Sequence, residues 1–257
     1  MKIVQISDLH LGGELYGIDP LKRLRLALES IKKYHFDASL LVISGDLAHN
    51  GDKEAYLDLK KELIEFYMPV YLVAGNHDNK ELLKQVFFKG CYSEFLHFTK
   101  EIEGYKFIFL DTTIEGKHSG TLCMKRLDWL KEQLDESLDR DVYIFMHHFP
   151  LNSDIYAMDR VYGFENSGAF LSLLQRYSSV KHLFCGHMHR NIFARYSSFS
   201  LSSTKSLVHQ IAYKAHSKEN LLTVKENPSY VVAFLEPNQL LIQNCEFLTQ
   251  EESFLEE

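Results

Sequence analysis

The sequence predicts a layered α/β domain, and three observations support this prediction. Apolar segments rich in Val, Ile and Phe recur as strand candidates, at residues 2–7, 38–44, 69–74, 105–110, 142–146 and 180–185. Several of these segments are almost continuously apolar, as strands covered on both faces of a sheet tend to be. Amphipathic helical patterns lie between the strand candidates, and an alternation of this kind is typical of α/β folds.

The first helical pattern begins after residue 19. Asp19 is a candidate N-cap, and Pro20 stands at the first helical position, where a missing N–H costs nothing. Apolar residues then recur at steps of three and four, at Leu21, Leu24, Leu28 and Ile31. Two further runs have similar spacing, one with Tyr56, Leu59, Leu63 and Phe66 and the other with Leu127, Leu130, Leu134 and Leu138. We therefore expect amphipathic helices at these three positions.

The character of the sequence changes after about residue 192, where Ser-rich and alternating segments dominate. Residues 230–235 and 240–247 flank a turn-like stretch at 236–239, which predicts an antiparallel hairpin. We expect residues 191–250 to complete a second sheet without long helices, and the acidic end (Glu251, Glu252, Glu256 and Glu257) to be a solvated tail. No repeat or linker interrupts the chain, so residues 1–257 are expected to form one domain.

Composition excludes several classes of protein. The 257 residues are 46% apolar and 25% charged, which rules out disorder and coiled coil. A net charge of -7 disfavours nucleic acid and anionic membranes as partners, because both require a basic surface. No apolar run approaches the roughly 20 residues of a membrane span, and we expect no signal peptide. The four cysteines form no CxxC pair, which favours reduced thiols in a cytoplasmic protein.

Histidine and carboxylate residues follow five of the six strand candidates. The sequence contains 13 histidines, and the five blocks are Asp8-Leu9-His10, Gly45-Asp46, Gly75-Asn76-His77-Asp78, His147-His148 and Gly186-His187-Met188-His189. The carboxyl ends of strands open onto the ligand crevice of layered α/β folds, so these blocks should converge. Carboxylates and imidazoles in such number indicate divalent cations.

Each block alone has an ordinary explanation. Asp8-Leu9-His10 or Gly45-Asp46 could be a simple turn, and Asn76-His77-Asp78 could be an Asx-turn with a helix cap. The paired histidines could be buried residues with satisfied hydrogen bonds. The joint pattern argues against these explanations, because all five blocks carry ligand-type residues at the same end of a predicted strand. Three blocks also contain glycine, which lets the backbone approach closely.

This ordered set of blocks resembles the calcineurin-like metallophosphoesterase family, over most of residues 1–190. The resemblance implies a four-layer α-β-β-α sandwich with two mixed sheets. Finer features are similar to the bacterial class III cyclic-nucleotide phosphodiesterases: Leu110-Asp111-Thr112-Thr113, Leu127…Trp129-Leu130, Pro150, Asn166 and Ser203-Thr204. The His-His-Pro-Pro that is usual in the family stands here as His147-His148-Phe149-Pro150, so the loop leading to the substrate is expected to differ in shape.

The family resemblance implies two cations that share Asp46 as a bridging ligand. One cation would bind Asp8, His10 and His189, and the other would bind Asn76, His147 and His187. Imidazole and carboxylate ligands suit Mn, Fe or Zn, as two divalent or mixed-valence ions, and the lack of thiolate ligands argues against structural zinc. Such a pair of ions could hold a hydroxide that attacks phosphorus.

His77 is the candidate general acid for the leaving group, because it directly follows the proposed ligand Asn76. We expect Asp78 or another carboxylate to orient its imidazole; the alternative is a supporting hydrogen bond without a catalytic part. Substrate contacts are expected from His10, Asp46, Asn76, His77 and His189. Adjacent residues of a strand point to opposite faces, so His148 should support the site or pack rather than bind metal. Seven histidines receive no assignment: His35, His49, His97, His118, His182, His209 and His216.

Charge favours a diester as substrate. The two carboxylates, two divalent ions and a hydroxide leave about one positive charge, which matches a diester better than a monoester carrying nearly two negative charges. We therefore predict a phosphodiesterase acting on a small nucleotide such as 3',5'-cAMP. The alternative is a nucleotide pyrophosphatase, acting on an ADP-ribose-type conjugate at the same centre. Segment 151–165 could stack a base or be an ordinary surface loop. A non-catalytic scaffold would be expected to lose ligands, and the oligomeric state stays open.

Overall fold

The computed structural model describes residues 1–90, 93–213 and 221–248. Its six helices are α1 (Pro20–Tyr34), α2 (Lys53–Leu63), α3 (Lys80–Phe87), α4 (Met124–Asp135), α5 (Tyr156–Val161) and α6 (Ser167–Leu174). Its strands are β1 (Lys2–Ile6), β2 (Leu40–Ser44), β3 (Val70–Val73), β4 (Phe98–Ile102), β5 (Tyr105–Leu110), β6 (Gly120–Thr121), β7 (Val142–Met146), β8 (Phe164–Glu165), β9 (Val180–Cys185), β10 (Ile192–Tyr196), β11 (Phe199–Ser203), β12 (Gln210–Ile211), β13 (Thr223–Val224), β14 (Ser229–Glu236) and β15 (Gln239–Glu246). All six strand candidates are confirmed.

Two mixed sheets form the centre of the protein. The first has the order β15-β14-β1-β2-β3, in which β1, β2 and β3 are parallel and the hairpin β14–β15 is antiparallel. The second has the order β10-β11-β9-β7-β5-β4, with a parallel centre and antiparallel edge strands. Because the parallel strands run the same way in each sheet, their carboxyl ends share an edge.

Three apolar layers show that the architecture is a four-layer sandwich. In β2, Leu40 and Val42 pack between the two sheets, while Leu41 and Ile43 pack against the helices of the first half. In β7, Tyr143 and Phe145 face the inter-sheet layer, and the alternate residues face the helices of the second half. Both faces of each strand are therefore buried, which explains the nearly continuous apolar runs. The expected α-β-β-α sandwich is confirmed.

The three predicted helices form, and a side-chain cap is present at the start of α1. The Asp19 side chain accepts a hydrogen bond from the Lys22 amide at 3.1 Å, so it caps α1 as predicted. The helices α2 and α4 end before the last residues of their predicted patterns, Phe66 and Leu138, and Leu138 is exposed. The elements β4, α3 and α5 were not predicted from the sequence, because their short patterns give little periodic signal.

The prediction that residues 191–250 complete the second sheet is wrong for the hairpin. Strands β10 and β11 do join the second sheet, but β14 and β15 extend the first sheet beside β1. The reason is packing: Val231 and Ala233 fill the inter-sheet layer, while Tyr230 and Val232 join the core under α1. No helix follows residue 192 within the described part of the chain, and the acidic tail lies outside it. A single domain over residues 1–257 stays a prediction.

Candidate metal centre

The five ligand blocks converge at the shared carboxyl edge of the two sheets. Backbone hydrogen bonds tie the first two together, since the Asp8 amide donates to Gly45 O at 3.0 Å and the His10 amide donates to Asp46 O at 2.9 Å. The His187 amide, from the second sheet, donates to the Asp8 carboxylate at 3.1 Å. All seven side chains that the family resemblance implied as ligands therefore lie in one region.

The first group of donors consists of Asp8, His10, Asp46 and His189, all of them buried. His189 Nε2 lies 3.2 Å from Asp8 Oδ1 and 3.2 Å from His10 Nε2. His10 Nε2 lies 3.9 Å from Asp46 Oδ2. One ligand atom from each residue lies within 4.8 Å of the others, so the group could hold a metal ion.

The second group gathers around His147, on the other side of Asp46. His147 Nε2 lies 3.2 Å from Asn76 Oδ1 and 3.4 Å from Asp46 Oδ1. The imidazole rings of His147 and His187 have centroids 5.0 Å apart. The two oxygens of Asp46 thus face different groups of donors, with Oδ2 towards His10 and Oδ1 towards His147, so this carboxylate could be shared by two ions.

Backbone carbonyls fix which nitrogen three of the four ligand histidines present. His147 Nδ1 lies 2.8 Å from Ser44 O, and His189 Nδ1 lies 2.9 Å from His209 O. His187 instead places Nε2 at 2.8 Å from the carbonyl of Tyr162. A ring nitrogen that donates to a carbonyl leaves the other nitrogen with its lone pair free for a cation. The backbone therefore favours the tautomers of His147, His187 and His189 that metal binding requires.

Left-handed backbone is concentrated at this edge. Five of the seven expected ligands have positive φ between 49° and 67°: Asp8, His10, Asp46, His187 and His189. Such conformations are unfavourable for residues with a Cβ, and they persist only where the surroundings impose them. The strand ends turn sharply here, which brings consecutive side chains towards a common centre.

Glycines permit the close approach of the blocks. A Cβ at Gly186 would overlap Ser7 Oγ and crowd the Asp8 carboxylate. At Gly45, φ is +99° and a Cβ would overlap the His147 ring. A side chain at either position would push the donors of the two sheets apart. The expected need for close backbone approach is confirmed at these two positions.

The electrostatics of the cluster fit a group that supplies positive charge. Burial opposes ionisation of Asp46, yet His147 and His10 hold its pKa well below the usual range. Burial likewise disfavours the charged form of His147, but Asp46 and Asp8 raise its pKa to about 9. No Lys or Arg forms an ion pair with Asp8 or Asp46 among the described residues. Two cations would replace these imidazole protons and neutralise the carboxylates, so the residues fit a metal centre.

His77 lies beside this cluster without joining its main contacts. Its amide donates to Asp46 Oδ1 at 2.9 Å, and its Nδ1 lies 2.7 Å from the carbonyl of His49. Its Nε2 lies 4.0 Å from Asp46 Oδ2, and the ring borders the cleft over the cluster. The carbonyl of His49, rather than a carboxylate, therefore orients the imidazole.

The expectation that Asp78 orients His77 is wrong. The Asp78 carboxylate accepts hydrogen bonds from the amides of Leu47 and Gly75 at 3.1 and 2.8 Å, and from the Tyr56 hydroxyl at 3.0 Å. Burial and the charge of Asp46 raise the pKa of Asp78 to about 6. Backbone amides that follow β2 and β3 donate hydrogen bonds to both carboxylate oxygens of Asp78. Asp78 therefore supports the loops that carry Asp46 and His77.

The His148 ring packs against two ligand rings, with its centroid 4.9 Å from that of His147 and 4.6 Å from that of His187. Its Nδ1 lies 2.7 Å from Thr112 Oγ1, and its Nε2 lies 3.2 Å from the carbonyl of His118. Although His148 lies near His147 and His187, both of its nitrogens already have partners. It therefore connects the metal-facing loop to the loop that carries His118.

A cleft of about 310 Å³ lies over the cluster, and we call it the aromatic cleft. Its lining is His10, Leu15, Tyr16, Asp46, His49, Asn76, His77, His118, Met158, Tyr162, His187, His189, His209, Ile211 and Leu221. Segment 151–165 contributes Met158 and Tyr162 to this wall. His49, His118 and His209 were not predicted to line the site. His49 comes three residues after Asp46, which was the one available signal; the other two reach the cleft from distant loops.

Lysine and arginine are absent from the described lining of the aromatic cleft. Arg190, the basic residue adjoining a ligand block, pairs with Glu226 at 3.2 Å and donates to the carbonyl of Ile211. Lys117, near His118, pairs with Glu165 at 2.9 Å. Lys214 and Lys218 lie outside the described residues. Positive charge in the described cleft would therefore come from bound cations and from histidine.

Comparisons with known proteins agree with this geometry. The family model of the calcineurin-like phosphoesterases matches residues 1–191. The chain is 32% identical to a Rhodopseudomonas palustris protein named "Probable cyclic nucleotide phosphodiesterase", over 96% of this chain and 93% of that protein. It is 31% identical to an Arcobacter nitrofigilis protein named "Probable glycerophosphodiester phosphodiesterase", with the same coverage of 96% and 93%. It is 26% identical to the 3',5'-cyclic adenosine monophosphate phosphodiesterase of Escherichia coli K12, over 84% of this chain and 78% of that protein.

Proposed function

The chain belongs to the calcineurin-like phosphoesterase family, and from this premise we propose that it hydrolyses a 3',5'-cyclic nucleotide such as cAMP at a dinuclear metal centre. The protein is a metallophosphoesterase, and so a hydrolase. The observation that carries the proposal is the position of Asp46, whose two carboxylate oxygens face separate groups of donors.

Seven residues would hold the two cations. Asp8, His10 and His189 would bind one cation, Asn76, His147 and His187 would bind the other, and Asp46 would bridge them. Imidazole, carboxylate and amide donors without thiolate suit Mn, Fe or Zn. When bound, two such ions polarise the phosphoryl oxygens and generate a hydroxide nucleophile near neutral pH.

The protein's own side chains would then bind the phosphoryl group and manage protons. His77 borders the cleft with Nε2, because its Nδ1 is occupied by the carbonyl of His49. That nitrogen would donate the proton that the leaving alkoxide needs. Substrate contacts are proposed for His10, Asp46, Asn76, His77 and His189, as the family resemblance implies; each of them lines the cleft.

A diester substrate is supported by the charge of the cleft. A dianionic monoester would gain from lysine or arginine beside the metal centre, and the described lining contains neither. The same shortage of positive charge disfavours a nucleotide pyrophosphate, which carries a second charged phosphate. A monoanionic diester needs little more charge than the cations supply.

A nucleotide substrate is supported by the walls of the aromatic cleft and by the relatives. Tyr16 and Tyr162 are both on the lining, with Met158 and Leu221 among the apolar residues. An aromatic or apolar wall of this kind can pack against a base. Two of the three relatives described above are named as acting on cyclic nucleotides. The net charge of -7 disfavours nucleic acid as substrate.

The first experiment compares bis-p-nitrophenyl phosphate with p-nitrophenyl phosphate, after loading with Mn²⁺. We expect faster hydrolysis of the diester, and the reverse order would overturn the diester assignment. A panel of 3',5'-cAMP, 2',3'-cAMP and ADP-ribose then tests the substrate, and hydrolysis of ADP-ribose alone would favour the pyrophosphatase. Two metal equivalents per chain are expected from elemental analysis. No helix in the described chain could cross a bilayer. A cytoplasmic location stays a prediction.

A further inference from the structure

His10 differs from the other three ligand histidines in what holds its ring. Its Nε2 faces the first group of donors, at 3.2 Å from His189 Nε2 and 3.9 Å from Asp46 Oδ2. Its Nδ1 lies 3.4 Å from Nδ1 of His49, and the described residues provide no other partner for that nitrogen. Backbone carbonyls hold the other three rings, so the orientation of His10 depends on a side chain instead.

The tautomer of His49 follows from that of His10. A cation at Nε2 of His10 requires a lone pair there, so the ring proton of His10 must be on Nδ1. That N–H meets His49 Nδ1, which therefore accepts with its own lone pair, and the proton of His49 is on its Nε2. Because His10 is buried, loss of this acceptor would leave an unpaired N–H away from water.

The main chain holds His49 opposite His10. The segment after β1 pairs with the segment after β2, since the Leu11 amide donates to Leu47 O at 3.1 Å and the His49 amide donates to Leu11 O at 2.9 Å. Gly13 leaves room for the ring, because a Cβ there would lie 2.9 Å from His49 Cγ. These backbone contacts remain when the side chain of residue 49 is changed.

His49 also contacts the proposed acid, but its hydrogen bond to that residue comes from the main chain. The His49 carbonyl lies 2.7 Å from His77 Nδ1, and the two rings stack with centroids 5.3 Å apart. A substitution at His49 therefore keeps the carbonyl that orients His77 and removes the nitrogen that meets His10. The two contacts can be tested separately.

We propose that the His49 imidazole is a positioning residue for the cation bound by Asp8, His10 and His189. It accepts the Nδ1–H of His10 and so directs the Nε2 lone pair of His10 at the metal. This inference rests on the proposed function, because it assumes cations at both groups of donors. Within the described chain, no hydrogen bond joins the His49 ring to a ligand of the other cation. Loss of the imidazole should therefore weaken one metal site and spare the other.

The test compares His49→Leu with His49→Asn. Both side chains branch at Cγ as histidine does, but asparagine can place an oxygen acceptor near the position of Nδ1, whereas leucine places a methyl group there. Equilibrium dialysis against Mn²⁺ measures the two dissociation constants. In His49→Leu we expect one Kd to rise by about 10–100-fold and the other to stay unchanged, and in His49→Asn most of the affinity should return. His49→Phe, a ring without an acceptor, should behave as His49→Leu does.

Double variants assign the weakened constant to one site. His187→Ala removes a ligand of the other cation, so the tight site that remains is the one containing His10, and adding His49→Leu should weaken it by the same factor. His10→Ala disables the first site, and adding His49→Leu should then have no effect on Mn²⁺ binding. Urea unfolding of the metal-free proteins checks that the substitutions leave the fold intact.

The outcomes separate this inference from the proposed function. Unchanged constants in both His49→Leu and His49→Phe would overturn the positioning role, and so would equal weakening of both sites or no recovery in His49→Asn. Loss of turnover at saturating Mn²⁺ with unchanged affinity would place the effect on His77 and also contradict the proposal. If the unsubstituted protein fails to bind two Mn²⁺ ions or to hydrolyse any diester, the proposed function itself is contradicted.

Discussion

The two sheets bury polar groups in two regions, which differ in the partners of those groups. One region is the space between the sheets, and the other is their shared carboxyl edge. Between the sheets, His182 has both ring nitrogens occupied, at 2.7 Å from Ser200 Oγ and 2.8 Å from Ser202 Oγ. At the edge, Nε2 of His10 and Nε2 of His189 face each other at 3.2 Å, near two buried carboxylates. The same strands provide both regions.

This difference separates what stabilises the fold from what performs the chemistry. The inter-sheet layer needs no added ion, because its aromatic rings stack and the His182 imidazole has hydroxyl partners for both nitrogens. The edge is complete only with cations, because its lone pairs and carboxylates converge without a Lys or Arg among their described partners. Substitutions in the two regions should therefore affect different measurements.

The largest effect is expected from Asp46→Asn at the edge. The change removes the charge that lies between the two groups of donors, so the shared ligand becomes a weak one. We expect hydrolysis of bis-p-nitrophenyl phosphate to fall by about 10⁴-fold, with loss of bound metal measured by elemental analysis. Asp37→Asn, at an exposed ion pair with Lys2, should change neither. Full metal content and activity in Asp46→Asn would contradict the claim that the carboxyl edge, unlike the inter-sheet layer, depends on bound cations.

His77→Ala should reduce turnover without removing the metals. The loss expected from removing a general acid is roughly 10²–10⁴-fold for an alkyl diester such as 3',5'-cAMP. The loss should be much smaller for bis-p-nitrophenyl phosphate, because p-nitrophenolate leaves without a proton. Metal content serves as the control. An equal loss on both substrates would show that His77 does not act as the acid.

Phe145→Ala tests the inter-sheet layer. The Phe145 ring is fully buried, with its centroid 4.7 Å from that of Phe184 and 5.4 Å from that of Phe109. We expect a loss of roughly 3–5 kcal/mol in the free energy of unfolding in urea, while the folded fraction still binds metal. Phe193→Ala is the matched control, because that ring is 69% exposed and should change stability by less than about 0.5 kcal/mol. Similar losses in both would contradict the prediction.

The smallest of these effects concerns the stability of the protein at acid pH, through a buried histidine of the inter-sheet layer. Burial lowers the pKa of His182 to about 3, whereas the unfolded chain has the ordinary value near 6.5. Between these values the unfolded state binds more protons, so stability falls as pH falls. From pH 7 to pH 4 this group should cost about 3 kcal/mol of unfolding free energy.

His182→Gln gives the comparison for this prediction, since glutamine cannot take up the proton. Its unfolding free energy should fall less steeply between pH 7 and pH 4 than that of the unsubstituted protein. Urea denaturation at a series of pH values measures the difference. Identical slopes for the two proteins would mean that His182 does not govern acid stability.

Most of the metal centre could be predicted from sequence because it lies at strand ends. Strands are local, nearly continuous apolar runs, and their carboxyl ends meet at one edge of a sheet. His148 was expected to support the site rather than to bind metal, and its two nitrogens lie within hydrogen-bond distance of Thr112 Oγ1 and of the carbonyl of His118. Both predictions needed only short-range geometry.

Other features depended on contacts between distant segments. The hairpin β14–β15 could have extended either sheet by its own pattern, and packing beside β1 decided the choice. Asp78 was expected to face His77, but the backbone amides of Leu47 and Gly75 bind its oxygens. His118 and His209 reach the aromatic cleft through loops that carry no periodic signal.

The sequence by itself determined the strands, the ligand types and the edge at which they gather, because these follow from local propensity and from the direction of parallel strands. Only the tertiary structure decided which oxygen of Asp46 faces which donors, and which ring nitrogen His77, His147, His187 and His189 present. The physical reason is that these features depend on backbone carbonyls and amides contributed by other loops. Their positions are fixed by packing of the whole fold rather than by the residues beside them.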